Sequence, residues 1–265
     1  MPIAVDVELR HLNQHEFGAL AYEVMECVFK VHATLGRFFD EDVYRDAIAC
    51  RLPSARKEVP ITVCFDTFRK DYCMDLLVDG AAVFELKTVD TFSNRHHSQL
   101  INYLLLSELP HGKIVNLRSE RVQHRFVNTS LTRADRSQFS IDTKAWNVIE
   151  ESQKELAFWI EAAVRDWGTG LERRLYEEAV IHYLGGPEKV VGKASVTLDS
   201  QEVQQQPVLW AGRETIIRVT ALDPASLASH EEHLRRLVNH THVVALQWIN
   251  VGNSQLTFKT IRRSR

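Results

Sequence analysis

Apolar positions recur along this chain in two rhythms, and each rhythm marks an element. In "NQHEFGALAYEVMECVFKVHATLG", Leu20, Val24, Cys27, Val28 and Val31 fall at helical spacing. Asn13 is placed to cap that helix, with Glu16 three residues on, and Gly36 closes it. A second helix is predicted over about 41–51. The rhythm then changes to strict alternation in "EVPITVCFD", where Val59, Ile61, Val63 and Phe65 mark a half-buried strand. "YCMDLLV" and "AAVFELKTV" form two more strands around the turn residues Asp79-Gly80, which predicts a β-meander. From about 93 to 109, "SNRHHSQLINYLLLSEL" returns to helical spacing, and "GKIVNLR" and "RVQHRFV" supply two further strands. The predicted order is helix, helix, three strands, helix, strand, strand.

The meander carries charge where an apolar strand pair has no need of it. Glu85 and Lys87 are two apart on a strand, so both project from one face. A three-residue loop Asp79-Gly80-Ala81 puts Asp75 directly opposite Glu85 on that face, and a two-residue loop puts it on the other. Charged pairs on a solvated strand face are common. The neighbours Val83, Phe84, Leu86 and Val89 instead mark a central strand. Two carboxylates crowded together repel, and a hard divalent cation relieves them by binding through oxygen. Such an ion polarises a phosphate and activates a water, while Lys87 orients that water or steadies charge on phosphate oxygens.

Composition narrows the classes without choosing among them. With 265 residues, 45% of them hydrophobic, the chain can bury one large core or two small ones. No apolar run reaches the length of a membrane span, and "MPIAVDVELRHLN" lacks the order of a signal peptide, so a cytoplasmic protein without membrane contact is expected. Cys27, Cys50, Cys64 and Cys73 form no CxxC pair and are expected as buried free thiols. A net charge of −3 excludes a protein that coats nucleic acid non-specifically. No phosphate-cradling GxxxxGK[ST] is present; Gly192-Lys193 has the wrong spacing.

Asp75, nine residues and then Glu85-Leu86-Lys87, set between amphipathic helices, resembles the PD-(D/E)XK nuclease superfamily, and more narrowly its GxxExxY proteins. "LGRFFDEDVYRDAI" is similar to the motif that names those proteins, with Gly36, Glu41 and Tyr44 in place. "DLLVDGAAVFELKTV" resembles their acidic hairpin and "HHSQLINYL" the helix after it. The resemblance implies a mixed α/β (α+β) restriction-endonuclease-like αβββαβ core. It also implies Mg²⁺ or Mn²⁺ held by Asp75, Glu85 and Glu41, and a nucleic-acid substrate, DNA first. Gln99 and Tyr103 match a Q-x-x-x-Y element of RecB-like members and share one helix face. A second glycine usual in the first motif is Phe38 here, and Asp40 and Asp42 leave open which acid faces inward. His96 and His97 are expected to face solvent.

The second half repeats the first. Gly36, Tyr44 and Ala47 answer to Gly168, Tyr176 and Ala179 at one constant offset, and His96, Leu100 and Asn116 answer to His230, Leu234 and Asn250 at a slightly larger one. The expectation is two copies forming a pseudo-dimer: residues 1–142 with the intact motif, and 143–265 as a diverged, silent copy. In the latter Glu85 becomes Arg218, Lys87 becomes Thr220, Asp75 falls near Pro207 or Val208, and Gln99 and Tyr103 become His233 and Leu237. The function expected is a metal-dependent nuclease with one site per chain that nicks, or cuts single-stranded or branched substrate, unless a homodimer or larger assembly adds a second site. The alternative is a nucleic-acid- or protein-binding module with a vestigial site. Residues 1–142 hold 17 basic against 20 acidic residues, which favours the module, whereas a lysine beside two acids favours the enzyme.

Overall fold

A computed structural model describes residues 2–199 and 201–263, in two compact units covering 1–133 and 134–265. The first contains β1 (Ile3–Val5), α1 (Gln14–Leu35), α2 (Glu41–Arg51), β2 (Ala55–Phe65), β3 (Phe68–Val78), β4 (Ala82–Lys87), α3 (Asn94–Ser107), β5 (His111–Asn116) and β6 (Gln123–Asn128). Helix α4 (Arg133–Arg136) lies at the division. Six strands form one sheet in the order β1-β2-β3-β4-β5-β6. The β4–β5 pair is parallel, with α3 as the crossover, and the others are antiparallel. The predicted elements are all present; β1 was not foreseen, because three residues are too short for an alternation to register.

The capping expected at α1 is formed. Asn13 Oδ1 accepts from the amides of His15 and Glu16, and Glu16 Oε2 accepts from the Asn13 amide at 2.8 Å. Helices α1 and α2 bury Val24, Val28, Val31, Tyr44 and Ile48 against Leu76, Val78, Phe84 and Leu86. Alternation turns Val83, Glu85 and Lys87 to the opposite face of β4. There Leu100 of α3 lies so close to β5 that a Cβ on Gly112 would come within 3.1 Å of its methyl and of the Val83 carbonyl. A side chain there would have to push the Leu100 methyls and the Val83 carbonyl aside by a few tenths of an ångström, which favours glycine.

The second unit contains β7 (Ser140–Ala145), a 3₁₀ turn (Glu151–Gln153), α5 (Leu156–Trp167), α6 (Arg173–Tyr183), α7 (Pro187–Val190), β8 (Val191–Leu198), β9 (Gln201–Trp210), β10 (Thr215–Thr220), α8 (Pro224–Asn239), β11 (Ala245–Val251) and β12 (Gln255–Arg262). Its sheet runs β7-β12-β11-β10-β9-β8, with β10 parallel to β11. The division falls before the expected 142/143 because β7, which spans that point, pairs with β12 and belongs wholly to the second sheet.

Both units carry the same two braces. Tyr44 Oη donates to the Gly36 carbonyl at 2.7 Å and accepts from the Phe39 amide at 3.4 Å. Tyr176 Oη donates to the Gly168 carbonyl at 2.8 Å and accepts from the Leu171 amide at 3.3 Å. Gly36 and Gly168 end α1 and α5 at φ +75° and +84°, a conformation that favours glycine. Asn116 grips both backbone groups of Val89, and Asn250 grips both of Leu222. These asparagines stand in matching register, Asn116 opposite Lys87 and Asn250 opposite Thr220.

Of the four cysteines only Cys27 is buried; Cys50 and Cys73 are exposed and Cys64 is half-buried. Cys73 was expected in the core, but it alternates with buried Met74 and so falls with Arg69 and Asp71 on the open face of β3. Among the described residues no helix is long and apolar enough to cross a membrane.

Candidate functional site

The hairpin loop has three residues. Val78 pairs with Ala82 and Leu76 with Phe84, so Asp75 stands opposite Glu85. The ladder stops at this point. In place of a backbone carbonyl, the Asp75 carboxylate accepts the Leu86 amide at 2.8 Å, which holds Asp75 against β4 where the two strands part.

Lys87 gathers the acids. Its Nζ donates to Glu85 Oε1 at 2.8 Å and to its neighbour's carbonyl, that of Leu86, at 2.6 Å; it lies 3.4 Å from Glu41 Oε1 and 3.7 Å from Asp75 Oδ2. The acid that faces inward from α2 is Glu41, since Asp40 and Asp42 are exposed. Glu85 is fully buried, and its second oxygen, Oε2, has no hydrogen-bond partner.

One participant was missed by sequence reasoning. Arg45 is buried and reaches Asp42 at 2.6 Å, Glu58 at 3.2 Å and Asp75 at 3.9 Å. The available signal was its position four residues after Glu41, on the same helix face. Glu58 lies across β2 from Asp75, between the pairs Lys57–Leu76 and Val59–Met74, and has a left-handed φ of +53° inside a strand. Such strain costs about 1–3 kcal/mol and persists where neighbours hold it, here the Arg45 guanidinium.

Five carboxylates thus share two cations. Burial, and after it the Asp75 charge, pushes Glu85 up to about 8. Burial likewise raises Asp75 and Glu41, against the pull of Lys87. For Lys87 burial works the other way, but Glu85, Asp75 and Glu41 outweigh it and hold the ammonium above its ordinary pKa. Lys87 is therefore a donor and a fixed positive charge at neutral pH, not a base.

Gln99 Nε2 donates to Tyr103 Oη at 2.9 Å. Burial first, and then the Glu85 charge, pushes the Tyr103 phenol up to about 12, so this pair borders the acidic cluster. His97 is exposed as expected, but His96 is half-buried; its Nδ1 accepts the Ser93 amide, and burial together with the Lys87 charge lowers its pKa.

The donors suit a hard divalent ion: they are carboxylate oxygens, too many for their cations, with one buried oxygen unpaired. Among the described residues no three of His, Cys, Asp or Glu are arranged to hold a metal ion. Mg²⁺ is usually held by only one or two carboxylates, with waters and substrate phosphate completing its shell. Asp75 and Glu85, opposite one another, meet that requirement.

A cleft of about 620 Å³ opens just beyond Lys87, lined by Arg37, Phe38, Arg118 and Arg121 together with Asp90 and Glu120. Arg118 Nε donates to the carbonyl of Thr88, next to Lys87, at 3.4 Å. Phe38 is 76% exposed, with the Arg37 guanidinium 4.9 Å from its ring centre. Arginines around an exposed aromatic ring form the usual surface for a nucleic-acid strand, one for phosphates and the other for a base.

No curated protein matches the chain. The crystal structure of SSO0001 matches with 20% identity over 44% of this chain and 62% of that one, at a TM-score of 0.31, so the chain spans about three-fifths of that structure. A likeness that loose says nothing about fold or function. Residues 18–127, from α1 to β6 and including every acid of the cluster, match the family model of the PD-(D/E)XK nuclease superfamily.

Proposed function

We propose that the first unit is a metal-dependent nuclease of the GxxExxY type, acting on DNA through one site per chain. The observation that carries this reading is the cluster of half-buried Glu41 and Asp75 with buried Glu85 and Lys87, in which Glu85 Oε2 is left unpaired. Asp75 and Glu85 would hold the ion, with Glu41 as an outer carboxylate. The chemistry supplied there by a bound Mg²⁺ or Mn²⁺ is Lewis-acid polarisation of a phosphate oxygen and a lowered pKa for a bound water.

The protein side chains do the rest. Lys87, held protonated, donates to the attacking water or to the phosphate oxygens on which charge builds. Arg45 draws the Asp75 carboxylate from one side while the Leu86 amide fixes it from the other. Gln99 and Tyr103 line the α3 side of the same place, and the arginine cleft with Phe38 receives the strand. In the second unit the positions of Asp75, Glu85 and Lys87 carry Val208, Arg218 and Thr220, which leave no carboxylate to hold a hard cation. A chain read as two copies of one fold then has one cutting site, and its product from supercoiled DNA is a nicked circle.

The test is cleavage of supercoiled, linear and single-stranded DNA with Mg²⁺ or Mn²⁺, comparing wild type, Lys87→Ala and wild type with EDTA. Nicking by wild type alone is expected. If neither protein cuts while both bind nucleic acid, the site is a relic and a binding module replaces the enzyme.

A further inference from the structure

The second unit has a pocket at the position of the first unit's acidic cluster, with its charge reversed. Strand register carries Asp75 to Val208, Glu85 to Arg218 and Lys87 to Thr220. Glu41, the first residue of α2, becomes Arg173, the first residue of α6, and in each helix the bracing tyrosine follows three residues later. A cavity of about 220 Å³ lies between Arg173 and Arg218, walled by Val208, Ile217, Leu237 and Leu246. Glu177 at its rim is paired with Arg173. Arg218 is exposed and has neither hydrogen bond nor ion pair within the described residues. Thr220 carries no charge and is locked, donating to Asn250 Oδ1 and accepting from Trp248 Nε1.

We propose that this pocket binds one sugar-phosphate unit of a nucleic-acid strand, with Arg218 and Arg173 on the phosphate oxygens and the apolar wall against the sugar or base. The choice of nucleic acid rests on the nuclease reading of the first unit. The chemistry of the pocket stands apart from it: an unpaired guanidinium beside apolar surface fits an organic anion, and arginine matches phosphate geometry. Size selects a strand over a free metabolite. The cavity is smaller than the roughly 300–1,000 Å³ that encloses a whole small ligand, so it suits one unit of something longer.

The experiment is fluorescence anisotropy of a labelled single-stranded oligonucleotide titrated with the full chain in EDTA, at several salt concentrations. Arg218→Ala is expected to raise Kd roughly tenfold. The double variant Arg173→Ala/Arg218→Ala is expected to flatten the dependence of log K on log salt by about 0.7, the value for the one phosphate no longer neutralised. Arg165→Ala, an exposed arginine of α5 paired with Glu161, removes the same charge away from the pocket and controls for net charge. Wild type that does not bind, or an Arg218→Ala variant that loses no more than Arg165→Ala, overturns the proposal. Competition by a nucleoside monophosphate as strong as by the strand overturns the strand in favour of a free nucleotide. Cleavage is scored separately. If wild type cuts and the arginine variants bind normally, only the pocket falls; if nothing cuts but the arginine variants bind poorly, only the nuclease falls.

Discussion

Replacing Tyr44 or Tyr176 by Phe removes one hydroxyl from each unit, and the structure ranks the two losses. In the first unit the 2.7 Å bond to the Gly36 carbonyl disappears, and with it a 3.4 Å interaction near the limit of a hydrogen bond. Gly36 is exposed, so water can take up its freed carbonyl, and the cost is that of one ordinary hydrogen bond, about 1 kcal/mol. In the second unit the bonds are nearly identical, at 2.8 and 3.3 Å, but Gly168 is buried and its carbonyl is left without a partner. That adds a desolvation penalty and brings the cost to about 2 kcal/mol. Each kcal/mol should lower the melting temperature of a unit this size by roughly 3–5 °C. Urea titrations of both variants, followed by circular dichroism and by tryptophan fluorescence, measure the difference; all five tryptophans lie in the second half of the sequence. Tyr44→Phe should also slow cleavage, because the same turn positions Glu41 at the start of α2, whereas Tyr176→Phe should not slow the chemical step. A Tyr44→Phe cost equal to or above that of Tyr176→Phe, or costs below about 0.5 kcal/mol for both, would refute the reasoning from carbonyl burial.

Further outcomes follow from the same geometry. Glu85 loses its proton near its usual 4.5 when unfolded and near 8 when folded, so its contribution to stability is greatest below about 4.5, falls across pH 4.5–8 and is flat above. Glu85→Gln should therefore gain on wild type as pH rises through that window and abolish cutting throughout; parallel curves of urea midpoint against pH would contradict the burial argument. Arg45→Ala strips a cation from Asp42, Glu58 and Asp75 and should cost about 2 kcal/mol, discounted for the exposure of Asp42 and Glu58. Arg45→Lys should recover less than half of that in the same denaturation assay, because one ammonium cannot span three carboxylates. Asn116→Ala breaks both bonds to Val89 and should cost about 2–3 kcal/mol; a change below about 0.5 kcal/mol would remove the asparagine as a brace.

Elements with a sustained rhythm were legible in the sequence. Helix α1, the meander and α3 each carry enough alternating or helical positions to announce themselves, and the acidic hairpin showed because charge interrupts an apolar strand. The opposition of Asp75 and Glu85 hinged on one loop residue, which no periodicity could decide; the Val78–Ala82 pair decides it. Arg45 was hidden because an arginine on a helix is ordinarily solvated, and only tertiary packing puts this one against Asp75. The left-handed backbone of Glu58 has no sequence signal, since neither glycine nor asparagine marks it. The expectation of a repeat rested on Gly36, Tyr44 and Asn116, and the residues they answer to, Gly168, Tyr176 and Asn250, make the same main-chain hydrogen bonds in the second unit.

Those braces act chiefly on main-chain atoms: a tyrosine holds a helix end, and an asparagine holds the segment after a strand, with Asn250 also accepting the Thr220 hydroxyl. The tyrosine braces place no demand on the side chains between them. Frame and cargo are therefore written largely in different letters: beside matching braces, the first unit carries a cluster of acids and the second a pair of guanidiniums. A designer could exploit that separation in either direction, exchanging the cargo of one unit for that of the other while leaving the main-chain bonds of every brace in place.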